Sequence, residues 1–195
     1  SGVSHWFAME ADVAGWLNYT NQVAAAPTVA PGTTVVESDE VYIMYTSGTT
    51  GHPKGAVLTH SAVTANLVQW MAATSVQPGA GYLIVAPMYH AAAGVSVFAT
   101  VAQAGTQVIH EEFSPMDVVE ALDDGTVNAA TLVPAMIQAC LTMVPDVATR
   151  KYETLELIAY GASPISETSL RSALEVFGCR FVQGYGMTET TAALT

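Results

Sequence analysis

The stretch Val41-Tyr42-Ile43-Met44-Tyr45-Thr46-Ser47-Gly48-Thr49-Thr50-Gly51-His52-Pro53-Lys54-Gly55 passes from an apolar run directly into a cluster of glycines, hydroxyl side chains and one lysine. An apolar run ending on turn residues predicts a strand followed by a loop. Glycines let successive backbone N–H groups converge without Cβ interference, and such convergence binds anions. Thr46, Ser47, Thr49 and Thr50 add hydroxyl donors, Lys54 adds a full charge, and Pro53 fixes the backbone just before it. The loop therefore reads as phosphate-binding, with Gly48 and Gly51 the points where backbone approaches the anion. The plainer reading is a turn-rich surface loop. Against it stands Lys54, the only Lys or Arg before Arg150, which places the chain's single early cation inside the glycine-rich loop. The Walker A pattern is excluded, because there a Ser or Thr follows Gly-Lys, whereas here Gly55 follows Lys54.

Outward from this loop, strand-like and helix-like segments alternate from Asp39 onward. A short strand, Ala56 to Leu58, leads into a helix whose Val63, Leu67, Trp70 and Met71 share a core face. Gln77-Pro78-Gly79-Ala80-Gly81 breaks the chain and divides residues 37–76, which carry the loop, from residues 81–195. Strands are expected near Tyr82 to Val85, Thr106 to His110, Val127 to Leu132, Leu155 to Tyr160 and Arg180 to Gln183. Ser114 before Pro115 has the pattern of an N-cap, and Gly105 and Gly178 sit where helices end. The helix after Ser166 carries Leu170, Ala173, Leu174 and Phe177 on one side. This alternation implies an α/β fold with mostly parallel strands. Residues 1–36 read as a lead segment and an Ala/Pro/Thr-rich linker. Trp6, Phe7, Val13, Trp16 and Leu17 lie there at partly helical spacing, and no function attaches to them.

The chain has 195 residues, 51% of them hydrophobic, and a formal charge of −12. That length suits one α/β domain or two small lobes with a well-filled core. The negative balance argues against nucleic acid and anionic membranes as partners, and requires local donors and Mg²⁺ to overcome the net field at any nucleotide site. Cys140 and Cys179 lack metal-ligand spacing and read as buried free thiols, which fits a cytoplasmic, reducing setting. No run reaches the roughly 18 apolar residues of a spanning helix.

Thr46 to Gly55 resembles the signature loop of the adenylate-forming superfamily of acyl-CoA synthetases, luciferases and amino-acid-activating domains. The resemblance implies a three-layer α/β/α domain with a mostly parallel sheet. It implies an enzyme that joins a carboxylic acid to AMP from ATP, releases pyrophosphate and passes the acyl group to coenzyme A.

In open parallel sheets ligands collect at the carboxyl ends of the strands, and four loops, beginning at Thr46, Ala86, Gly161 and Gly184, are expected to share one ligand. In the second, His90 beside Tyr89 matches the family's aromatic-His pair, which implies positioning of the carboxylate rather than proton transfer. A lone histidine near an apolar helix is otherwise a structural hydrogen-bonder. The third, Gly161-Ala162-Ser163-Pro164, resembles the adenine-contacting turn, and also suits a tight turn into a helix. The fourth, Gln183-Gly184-Tyr185-Gly186-Met187-Thr188-Glu189, implies Tyr185 stacked on adenine, Thr188 on phosphate and Glu189 toward Mg²⁺. Each side chain suits its role, a flat π-face, a neutral donor and a hard oxygen ligand, while the amide of Gln183 can read the adenine edge. Taken alone, Glu189 is a solvated carboxylate.

The resemblance spans about residues 37–195. It implies that a ribose-binding aspartate, a hinge and a C-terminal domain with an adenylation lysine belong to the parent, so the chain reads as an inactive central fragment whose exposed apolar surface favours self-association. Amino-acid-activating relatives place an aspartate in the second loop, where this chain has His90 and Ala91-Ala92-Ala93-Gly94. A fatty acid is therefore expected over an aryl acid, and either over an amino acid. The competing classes are a non-catalytic nucleotide-binding module and a phosphate-loop hydrolase.

Overall fold

A computed structural model describes residues 3–9, 11–48 and 51–194. The chain divides into two units, Ser1–Val35 and Val36–Thr195. In the first, β1 (Phe7–Ala8) pairs in parallel with β2 (Leu17–Asn18), and the rings of Trp6 and Trp16 lie 5.3 Å apart. The aromatic residues read at helical spacing are thus in and beside paired strands, because a turn at Gly15, with φ +83°, folds the segment back. Asn18 caps α1 (Tyr19–Ala25) by accepting from Asn21 N at 3.0 Å.

The second unit opens with an antiparallel hairpin, β3 (Glu40–Thr46) and β4 (Lys54–Thr59), paired from Tyr42↔Leu58 to Thr46↔Lys54. Met44 and Leu58 point inward, while Ile43, Tyr45 and Val57 face out, the period-two pattern of a half-buried sheet. Thr59 then caps α2 (His60–Thr74), accepting from Ala62 N at 3.4 Å.

Beyond residue 80 the β-α alternation builds a wholly parallel five-stranded sheet. Its strands are β5 (Gly81–Ile84), β6 (Thr106–Ile109), β7 (Ala129–Leu132), β8 (Leu157–Gly161) and β9 (Arg180–Gly184), in the order β6-β5-β7-β8-β9. Every residue of β5 and β7 is buried, as expected for strands covered on both faces. The intervening helices are α3 (Ala91–Ala102), α4 (Pro115–Asp123), α5 (Pro134–Met143) and α6 (Glu167–Phe177). Leu83, Ala130, Leu132 and Ile158 pack with α4, α5 and α6, whereas Tyr82, Ile84, Ala129, Leu157 and Ala159 face α2 and α3. The result is three layers, α/β/α, as the sequence predicts.

Three details differ from the sequence reading. The phosphate loop closes an antiparallel hairpin and does not follow a strand of the parallel sheet. The buried face of α2 is Val63, Asn66, Trp70 and Thr74, with Leu67 and Met71 half-buried, because this face meets the chain's last residues as well as α3: Asn66 Nδ2 donates to the carbonyl of Ala193 at 2.6 Å. Leu174 on α6 is 43% exposed, and Ala104 rather than Gly105 takes the left-handed φ, at +52°. The expected caps at Ser114 and Gly178 are present; Ser114 accepts from Asp117 N at 3.3 Å, and Gly178 has φ +62°.

Candidate active site

The sheet order sets the place of the site. Connections run outward from β5 to β6 and then return to the other side of β5, so β5 and β7 flank a topological switch point, where a crevice opens at their carboxyl ends. A cavity of about 480 Å³ occupies it. Ala86, Pro87 and His90 line it from β5, Thr131 to Val133 from β7, Tyr160 to Ala162 from β8, and Gly184 and Gly186 to Thr188 from β9. α3 closes one side with Ala91, Ala92 and Val95, and Trp70 reaches in from α2. Among the described residues no Asp, Glu, Lys or Arg lines this cavity.

The walls are held close by sequence. A Cβ on Gly161 would meet the backbone carbonyl of Gly184, its partner across the β8–β9 ladder, so only glycine permits this approach. His90 stands at the N-cap of α3 with φ −96°, exposed, its ring 4.7 Å from that of Tyr89. These neighbours face different spaces. Tyr89 lines a second, apolar cavity of about 440 Å³ between β3 and α3, where Tyr42 and Phe98 stack at 5.8 Å.

Of the residues singled out by sequence, His90, Gly161, Ala162, Gly184 and Thr188 come together around the main cavity. Ser163, Gln183, Tyr185 and Glu189 lie on the same loops without lining it. Gln183 is exposed and accepts from the Tyr160 hydroxyl at 3.4 Å, Tyr185 is 63% exposed, and Glu189 is exposed on the short 3-10 turn Thr188–Thr190. In the hairpin loop Thr46 and Gly48 are half-buried, whereas Ser47, Gly51 and Lys54 are exposed; Thr49 and Thr50 lie outside the described residues. Gly48 has φ +64°, and a Cβ there would strike the carbonyl of His52. None of the described loop residues lines the cavity, so among the described residues the expected convergence of four loops is seen for three of them. The hairpin reaches the fourth loop another way, as β4 packs against the turn Thr188–Thr190.

Sequence reasoning missed the loop after β7. Thr131, Val133 and Met136 line the cavity. The signal was the position itself, a carboxyl end of a central parallel strand running into Val133-Pro134; the loop lacks the glycines and polar residues that marked the others. Also missed was Tyr82, fully buried behind the cavity, whose hydroxyl lies 2.8 Å from Thr131 Oγ1. Burial raises its phenol above the ordinary value, while hydrogen bonds with Thr131 and Ser96 work against that rise, and it stays protonated. Among the described residues no group of three or more His, Cys, Asp or Glu could cage a metal. A lone exposed Glu189 still suits Mg²⁺, which keeps several waters and takes substrate phosphates as ligands.

A doubly wound sheet with its cavity at the switch point, and a glycine-rich hairpin beside it, has the architecture in which open α/β proteins place small ligands. The chain belongs to the AMP-binding enzyme family, whose profile matches residues 6–195 and so extends into the first unit. It is 36% identical over 169 residues to a feruloyl-CoA synthase of Amycolatopsis sp, covering 86% of this chain and 34% of that one. It is 33% identical to the medium/long-chain-fatty-acid–CoA ligase FadD8 of Mycobacterium tuberculosis, covering 78% of this chain and 26% of that protein. Among solved structures, the inhibitor-bound N-terminal domain of FACL13 from Mycobacterium tuberculosis superposes with a TM-score of 0.83 at 27% identity, over 90% of this chain and 44% of that one. The o-succinylbenzoate coenzyme A synthetase of Bacillus subtilis, solved in complex with AMP, gives 0.72 at 28% identity, over 82% and 32%. The chain thus spans about a third of the length of the curated relatives it matches. The family is the one that the hairpin loop resembled, and these relatives are acid–CoA ligases or synthases. No described helix is long and apolar enough to cross a membrane.

Proposed function

We propose that this chain is the ATP- and acid-handling part of a cytoplasmic, AMP-forming acid–coenzyme A ligase. The observation that carries the reading is the cavity at the β5/β7 switch point, lined by His90 and Thr188 at its polar end, apolar along β7 and α3 apart from Thr131, and without an acidic side chain among the described residues. An α-ammonium entering it would be desolvated without a partner, at a cost of several kcal/mol. A carboxylic acid with an uncharged tail meets no such penalty. A fatty acid is favoured over an aryl acid, since Val95, Leu132 and Met136 offer aliphatic contacts. An aryl acid is the second reading, favoured by the feruloyl-CoA synthase relative.

In the proposed chemistry a carboxylate oxygen attacks the α-phosphorus of ATP and pyrophosphate leaves, carrying the electron pair of the broken P–O bond. His90 and Thr188 position the two anions, the donors of the Thr46–Gly55 loop with Lys54 hold the outer phosphates, and Tyr185, Gln183 and Gly161 to Ser163 hold adenine. Glu189 would hold Mg²⁺, which neutralises phosphate charge when bound. Positioning and charge neutralisation account for the acceleration, with no covalent enzyme intermediate. The 195 residues alone are expected to be inactive, and to self-associate through exposed Ile43, Tyr45 and Tyr89.

The test is ATP–pyrophosphate exchange by the full-length protein against matched panels of fatty, aryl and amino acids, followed by thioester formation on adding coenzyme A. Preference for an amino acid would refute the substrate reading, and adenylate without thioester would refute the ligase reading.

A further inference from the structure

Three buried hydroxyls stand in series behind the cavity wall. Tyr82 Oη lies 2.8 Å from Thr131 Oγ1, and Thr131 Oγ1 lies 2.8 Å from Ser96 Oγ, which donates to the carbonyl of Ala92 at 3.1 Å. Tyr82 and Ser96 are 3% and 0% exposed, while Thr131, at 9%, is the one member that lines the cavity. Each hydroxyl has a single proton to give. A carbonyl only accepts, so the Ser96 proton is committed to Ala92. Ser96 must then accept from Thr131, and Thr131, its own proton committed, must accept from Tyr82. With Ser96 donating to Ala92, the series runs Tyr82 to Thr131 to Ser96 to Ala92, and every proton in it is used. One acceptor lone pair then remains on Thr131, the member of the series that borders the cavity, where Ala92, Val95, Leu132 and Val133 are also found.

We propose that Thr131 is a specificity-determining residue that accepts a hydrogen bond from a hydroxyl on the tail of the acid, remote from its carboxylate. The inference rests on reading this cavity as the acyl site. A tail hydroxyl finds an acceptor there. A C–H in its place leaves the lone pair dry, and an ether oxygen sets one lone pair against another. Thr131 cannot donate to that ether without breaking the series.

The test is titration calorimetry of the full-length protein with two acid series, run beside ATP–pyrophosphate exchange with the same acids. The aryl series is cinnamic, 4-hydroxycinnamic and 4-methoxycinnamic acid; the alkyl series is decanoic and 10-hydroxydecanoic acid. The hydroxyl member of one series should bind about threefold to tenfold more tightly than its hydrogen counterpart, the range of a single net hydrogen bond. The series that responds tells a phenol from an alkanol. Thr131→Val should level the two members. If it unfolds through the orphaned Tyr82 hydroxyl, the double variant Tyr82→Phe/Thr131→Val keeps the shape without the orphan. Ser96→Ala frees the Thr131 proton to face the cavity, so the methoxy member should gain relative to the hydrogen member, an effect that a merely structural hydroxyl would not produce. Equal binding of hydroxyl and hydrogen members in both series overturns the proposal, as does a preference that survives loss of the Thr131 hydroxyl. Absence of exchange with every acid overturns the ligase reading instead, and binding of none of them overturns the acyl-site reading and this proposal together.

Discussion

The two glycine-bearing regions of the site are built on opposite terms. At the carboxyl edge of the parallel sheet, Gly161 is locked against Gly184 between buried strands, and the groups that line the cavity stand on backbone that cannot shift. At the hairpin, Gly51 has φ +83° with nothing within 4 Å of where a Cβ would sit, and Ser47 and Lys54 beside it are exposed. The sheet edge uses glycine for closeness, whereas the hairpin uses Gly51 for conformation alone and Gly48 for both conformation and closeness. Shape is therefore set at the sheet edge, where packing fixes the backbone, while the exposed side chains of the hairpin carry the proposed contacts to phosphate.

The largest effect that could break this comparison is on stability. Gly161→Val forces a side chain into the β8–β9 ladder and is expected to cost about 3 kcal/mol or more, because overpacking against backbone has no cheap relief. A Cβ at Gly51 meets no described atom within 4 Å, so Gly51→Ala should cost only the strain of its left-handed φ, about 1–2 kcal/mol. Urea unfolding midpoints of the two variants check the order. A hairpin variant as damaging as the sheet variant would show that the loop is part of the packed frame.

Affinity should show the reverse ranking. Lys54→Met is expected to leave the unfolding midpoint in place and to weaken ATP binding on the order of 10- to 100-fold, the scale of hydrogen bonds to charged groups. It should also flatten the salt dependence of binding, since one cation is lost from an acidic chain. The companion change Gly48→Val, where a Cβ would strike the His52 carbonyl, should weaken ATP binding as well. Fluorescence titration with a labelled nucleotide at two ionic strengths measures both, and undiminished affinity in folded variants would remove the loop from the phosphate site.

A smaller effect concerns how firmly the hairpin is held. Tyr42 stacks on Phe98 with ring planes only 9° apart, tying β3 to α3. Tyr42→Ala removes a contact worth about 1 kcal/mol beyond the area it buries. Amide exchange in β3 and β4 should then quicken about fivefold, while amides of β5, β7 and β8 keep their protection. Uniform quickening across both sheets would mean that they open as one unit.

The same contrast explains what was legible in the sequence. The apolar run at Tyr82 to Val85 and the mostly apolar runs at Val127 to Leu132 and Leu155 to Tyr160 announce parallel strands, and each is found within two residues of its expected place. The loops after β5, β8 and β9 were legible through their glycines and polar residues. The antiparallel closure of the phosphate loop was legible too but was not drawn: the seven residues between Thr46 and Lys54 are too few for a parallel crossover, so two strands flanking them can pair only as a hairpin. Thr131 and Tyr82 were hidden inside runs that read as core, where a hydroxyl is visible in the sequence but its partner is not. Asn66 was missed for a related reason: its partner, the Ala193 carbonyl, is distant in sequence.

The smallest effect separates the two regions by pH. Cys140 is fully buried, with Sγ 3.9 Å from the Pro115 carbonyl, and burial pushes its thiol up to about 12; Cys179, half-buried at the start of β9, is pushed up to about 11 by the same cause. Unfolding returns both to the ordinary value near 8.5. Below that value both states keep the proton, and the titration takes nothing from stability. As pH rises past it the unfolded chain loses protons that the folded chain retains, so stability falls through the interval up to the folded values. Both thiols belong to the layer formed by the parallel sheet and its helices, and the hairpin has none. Between pH 9 and 10 each thiol should take about 1 kcal/mol from stability. The phenols of Tyr42, Tyr82 and Tyr152, all raised by burial, begin to add to the decline in the same interval, because their unfolded value lies at about 10, and they do so alike in the parent and in a Cys140 variant. Cys140→Ala carries a constant penalty for its lost contacts but should show a shallower decline over that interval. Urea midpoints at pH 8, 9 and 10 for the two proteins decide it: parallel lines would mean that the Cys140 thiol titrates alike in the folded and unfolded chain, and that burial in this layer is looser than the packing of α5 implies.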